Sequence, residues 1–76
     1  LHKDYLRKNI VLTGFRDKEL EEVLEEQYRC KIQGGIRGNT NILIAKDVEG
    51  KSSKIANAKN LGIKVISYSK VKKDVM

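Results

Sequence analysis

Seventy-six residues, 39% hydrophobic, 34% charged and without proline, describe one small ordered domain with room for a single thin core. A chain of this size buries only about 60% of the surface its unfolded form exposes, which argues against a deep, water-excluded catalytic pocket and for a binding module. The formal net charge of +6 favours a partner rich in anionic groups.

In chain order, Lys8 to Thr13 has a β-branched apolar centre and ends at Gly14, which predicts a buried strand closed by a turn. From Asp17 the period changes. Leu20, Val23, Leu24 and Tyr28 form an apolar helical stripe whose other faces are acidic, with Asp17 placed to cap the N-terminus. A brief second strand around Cys30 to Ile32 precedes the Gly34-Gly35-Ile-Arg-Gly38-Asn loop, and Asn41 to Ala45 is continuous enough to be a strand buried on both faces. Such burial implies a parallel sheet covered on both sides. Lys51-Ser-Ser offers caps to a second helix, with Ile55, Ala58 and Leu61 for packing and Gly62 as its stop. Ile63 to Ile66 predicts a fourth strand towards a sheet edge, and Ser67 to Met76 a last short helix packed through Tyr68, Val71 and Val75.

The order βαββαβα argues for a compact three-layer α/β domain around a four-stranded parallel sheet, with helices on both faces. One domain spans residues 1–76, with its core from about 6 to 76. Opening on Leu1, the chain reads as a segment of a longer polypeptide. The longest apolar runs, 10–12 and 42–45, are far short of a membrane span, so no membrane partner is expected and an intracellular location is. The single cysteine, Cys30, excludes an internal disulfide and reads as an inert core thiol of a reducing compartment.

Right-handed crossovers place the Thr13-Gly14 turn and the start of the second helix on one edge of the sheet, where open α/β sheets bind ligands. Lys54 lies in the first turn of that helix, where the macrodipole disfavours a cation unless an anion compensates it. Free N–H groups at the helix start, the hydroxyls of Ser52 and Ser53 and the Lys54 ammonium would hold phosphate, and the Thr13 hydroxyl and Gly14 N–H would approach the same point. Against this stands a plainer reading: Thr13 hydrogen-bonds its turn and Lys54 extends into solvent.

Charge is uneven along the chain. Residues 1 to 49 hold nine Lys/Arg and nine Asp/Glu, whereas residues 50 to 76 hold seven Lys and only Asp74, so the basic character falls in the C-terminal third. Asp17 to Glu26 carries six carboxylates against Lys18. One acidic and one basic flank suit oriented docking on a phosphate-rich partner; two solvated helix faces are the alternative. Other chemistries lack residues. His2, the one histidine, stands at a terminus expected to fray, without a partner at metal spacing, so neither metal nor other cofactor is expected. The glycine loop fits no phosphate-binding spacing, and Tyr5, Tyr28, Tyr68 and Phe15 are scattered, which argues against a stacking platform for single strands.

Several segments, in this order and spacing, resemble the BRCT domain family: Asn9-Ile-Val-Leu-Thr-Gly-Phe15, Lys31-Ile32, Asn39-Thr-Asn-Ile-Leu-Ile44, and Lys51 through Ser67. The resemblance implies a non-enzymatic module of DNA replication or repair proteins, with sheet order 2-1-3-4 and the second helix alone on one face. It also looks like the single BRCT domains of bacterial-type NAD-dependent DNA ligases and clamp-loader large subunits. It also implies that Thr13, Gly14 and Lys54 hold a phosphate, with Arg16 or Lys18 as an added basic contact. The implied partner is duplex or nicked DNA through a 5′-phosphate or the backbone, the C-terminal lysines touching the backbone; the alternatives are a phosphorylated protein or a structural docking role. The implied location is the nucleus or another site of DNA replication, the cytoplasm for a bacterial, phage or cytoplasmic viral protein. Two features depart from the family pattern: Arg29-Cys30 replaces a glycine pair, and the tryptophan of the last helix is absent, which is expected to weaken packing there.

Overall fold

The structure, a computed structural model, describes residues 2–46 and 53–76. Four parallel strands, β1 (Asn9–Thr13), β2 (Lys31–Gln33), β3 (Ile42–Ala45) and β4 (Lys64–Ser67), form one sheet in the order β2-β1-β3-β4. Three helices, α1 (Lys18–Glu26), α2 (Ser53–Asn60) and α3 (Tyr68–Val75), cover it, and a 3-10 turn at Lys3–Tyr5 precedes β1. The expected α/β architecture, strand order and edge position of β4 are therefore present.

Alternation along the strands divides the core in two. Ile10, Ile42, Ile44 and Ile66 face α1 and α3 and pack with Leu20, Leu24 and Val71, while Val11, Leu43 and Ala45 face α2 and pack with Ile55, Ala58 and Ile63. All four residues of β3 are buried, as a strand covered on both faces requires.

The helix boundaries follow from local chemistry. Asp17 caps α1, its Oδ1 accepting from the Leu20 N–H at 3.0 Å, and Glu19 and Glu21 complement the positive end of the helix dipole. Ser67 Oγ accepts from the Lys70 N–H at 3.2 Å to cap α3. At the end of α2, Gly62 adopts φ 74°, with its N–H donating to Lys59 O and the Ile63 N–H to Ala58 O. Contact between Ile63 and Ala58 completes this Schellman stop.

Three expectations are corrected. Leu61 is 63% exposed rather than packed. Each i+3 step falls about 60° short of a full turn, so two of them carry Leu61 about 120° away from Ile55. His2 does not fray: its N–H donates to the Tyr28 hydroxyl and its ring lies 5.0 Å from that of Tyr5. Tyr5, outside the core expected from about residue 6, is fully buried and donates its hydroxyl hydrogen bond to Asp74 Oδ2 at 2.7 Å. It shares a cluster with Val71, the one fully buried residue of α3, so bulk absent from the last helix enters the core from the N-terminal segment.

Candidate phosphate site at the C-terminal edge of the sheet

In a parallel sheet every strand ends on the same edge, and the helices that follow begin there. That edge carries Thr13 at the end of β1, Ala45 at the end of β3, and the first residues of α1, α2 and α3. Thr13 pairs in register with Ala45, and the Lys46 N–H reaches Thr13 O at 3.4 Å. Side-chain parity sets the direction of Thr13. Val11, two residues earlier, faces α2, so Thr13 points to the same side of the sheet as α2.

Thr13 is half-buried and, among the described residues, no hydrogen bond ties its hydroxyl to the turn that follows. Gly14 is exposed with φ 81°, a conformation that glycine adopts without strain. A Cβ there would lie 3.8 Å from Lys46 Cβ, so the backbone angle rather than lack of space favours glycine. Ser53 and Lys54 are the first two residues of α2, both exposed. Lys54 is engaged with another group of the protein. Ser52 lies outside the described residues.

Arg16 and Lys18 follow Gly14 closely and border the acidic face of α1. Arg16 borders a hollow of about 250 Å³ floored by Leu12, Phe15 and Ile32, with Glu21 on its wall. Both cations also border a shallow depression with Glu21, Glu22 and Glu25. They therefore stand beside the acidic face of α1, which offsets their attraction for an anion.

An aromatic pair, expected to be scattered, meets at this edge. Phe15 and Tyr68 stack with ring centroids 4.2 Å apart and an interplanar angle of 25°. Tyr68 also donates its hydroxyl hydrogen bond to Asp17 Oδ2, and Lys72 Nζ stands 5.6 Å from its ring centroid. The bond from Tyr68, followed by that from the Leu20 N–H, holds the Asp17 carboxyl below the usual carboxylate range, and the same bond raises the Tyr68 phenol. Each aromatic residue follows closely on a strand that ends at this edge, and only the fold brings the two together.

Comparison with known proteins adds two findings. The family model of the BRCA1 C Terminus (BRCT) domain matches residues 2–73, a range that includes Thr13, Gly14 and Lys54. A DNA ligase of Acanthamoeba polyphaga mimivirus is 33% identical over 69 residues, covering 91% of this chain and 11% of the ligase. The chain thus spans about a tenth of the length of that curated relative.

Proposed function

The chain belongs to the BRCT domain family, and on that premise we propose that it is a non-catalytic module of a DNA replication or repair protein that binds phosphate groups on DNA. Thr13, Gly14 and Lys54 grip a terminal 5′-phosphate or a backbone phosphate, with Ser52 and Ser53 adding hydroxyl donors. The observation that carries the reading is the direction of Thr13: its hydroxyl lies on the α2 side of the sheet, at the edge where α2 begins with Ser53 and Lys54. Free N–H groups of a helix's first turn, an ammonium and a glycine N–H are together suited to a dianionic phosphate. The DNA-ligase relative supports nucleic acid as the source of that phosphate and a longer DNA-joining protein as the setting.

No helix among the described residues is long and apolar enough to cross a membrane. The module works inside the cell where DNA is replicated or repaired, in the nucleus or in the cytoplasm according to its host. In a gel-shift titration, a 5′-phosphorylated duplex binds more tightly than its 5′-hydroxyl counterpart, and Thr13→Val or Lys54→Glu abolishes the difference. Equal binding of both duplexes by the unsubstituted chain overturns the reading. A sequence-dependent signal on a phosphopeptide array in place of DNA binding moves the same residues to a phosphorylated protein partner.

A further inference from the structure

The opposite edge of the sheet, where the strands begin, is strongly basic. One hollow, of about 600 Å³, is lined by Arg7, Lys8, Asn9, Arg29 and Lys31. Beside it a second, of about 290 Å³, is bordered by Lys3, Lys8 and Lys64, with Asp4 also on its lining. Most of these cations come from residues 1 to 49, whose charges sum to zero; folding gathers them at one edge of the sheet. By contrast, two of the C-terminal lysines are engaged within the fold, Lys70 with Asp74 at 2.8 Å and Lys72 over the Tyr68 ring.

Two further observations mark this edge. Among the described residues, Arg7 and Arg29 are the non-glycine residues with left-handed backbone, φ 55° and 58°, and both line the larger hollow. Side-chain-bearing residues adopt that conformation at a cost, and such strain concentrates where function requires the side chain. The edge backbone is already paired, with Arg7 N–H donating to Tyr28 O, Lys31 N–H to Lys8 O and Lys64 N–H to Asn41 O. What the edge offers a partner is therefore its cationic side chains.

We propose that this N-terminal edge is a second nucleic-acid contact, a cradle for the phosphodiester backbone of a duplex. Lys31 and Lys64 begin the two outer strands, so the row crosses three inter-strand spacings, about 14 Å. That span is close to the roughly 12 Å width of the major groove, which brings phosphates of both flanking strands within reach. Guanidinium forks at Arg7 and Arg29 suit phosphate oxygens. The inference rests on the proposed DNA partner but not on the terminal-phosphate site, from which it is separated by the length of the strands.

The test uses the 76-residue chain with 5′-phosphorylated and 5′-hydroxyl duplexes across a salt series. Lys8→Gln with Lys31→Gln weakens binding of both duplexes by about tenfold and lowers the slope of log K against log salt by about two, leaving any preference for the 5′-phosphate intact. Arg29→Gly guards against misfolding, since it removes a cation while relieving the backbone; it weakens both duplexes while thermal stability holds or rises. Unchanged affinity and slope in these variants overturn the proposal. So does loss of the 5′-phosphate preference alone, or displacement of duplex by polyglutamate at equal charge, which assigns the edge to an acidic polypeptide.

Discussion

Tyr68, the first residue of α3, donates its hydroxyl hydrogen bond to Asp17, the residue that caps α1. One carboxylate thus closes one helix and ties it to the start of another, with Oδ1 serving the Leu20 N–H and Oδ2 the phenol. A second phenol–carboxylate pair, Tyr5 with Asp74, fastens the other end of α3 to the N-terminal segment. The last helix is held at both ends by polar pairs, although Val71 is its single fully buried side chain.

These pairs make stability depend on pH with a definite sign. Asp17 and Asp74 have lowered folded-state pKa values, Asp17 through Tyr68 and Asp74 chiefly through Lys70 and then Tyr5. Their contribution is full above the unfolded carboxylate range and is lost as pH falls through the lowered values. Urea unfolding should show stability decreasing from pH 5 to pH 2.5. Asp17→Asn combined with Asp74→Asn lowers stability at pH 7 and flattens that acid limb; an equally steep limb in the double variant contradicts the assignment.

The left-handed residues give opposite outcomes under substitution. Gly14→Ala meets no clash but must hold φ 81°, so it destabilises by about 1 kcal/mol. Arg29→Gly removes similar strain, partly offset by the greater freedom of glycine in the unfolded chain, and stabilises by about 0.5–1 kcal/mol. Thermal unfolding of the two variants checks both signs.

Packing separates two leucines. Replacing Leu24, fully buried on the inner face of α1, by alanine costs about 2–5 kcal/mol, a large share of the stability of a domain this small. Leu61→Ala changes stability by no more than about 0.5 kcal/mol, because the side chain is 63% exposed. Chemical denaturation of the pair should show a shifted midpoint for the first variant alone.

Cys30 is buried, and burial raises its thiol pKa. Its Sγ–H donates to Tyr5 O. A thiol reagent at pH 8 should label the native chain far more slowly than the urea-unfolded chain. Equal rates would place the thiol at the surface.

Much of the fold was legible in the sequence because local and global signals agree. The cap at Asp17, the stripe through Leu20 and Leu24, the continuous apolar run of β3 and the stop at Gly62 each identify an element without reference to the others. What stayed hidden depends on juxtaposition. Phe15 and Tyr68 meet because β1 and β4 end on one edge with β3 between them, and Tyr5 enters the core from a turn too short to have a period. The basic N-terminal edge was masked by counting charge along the chain: Lys8 just before β1, Lys31 at the start of β2 and Lys64 at the start of β4 are far apart in sequence but share one edge of the sheet. Of the candidate site, the shared edge was readable from topology, whereas the direction of Thr13 needed the division of the core between α2 and the other two helices.

The central claim, that the C-terminal edge holds a phosphate of DNA, is tested most directly residue by residue. An NMR titration of the isotope-labelled chain with matched 5′-phosphorylated and 5′-hydroxyl duplexes should shift the Thr13, Gly14, Ser53 and Lys54 amides with the phosphorylated duplex and much less with the other. Identical shifts from both duplexes, or shifts that leave those four amides unmoved, would contradict the account.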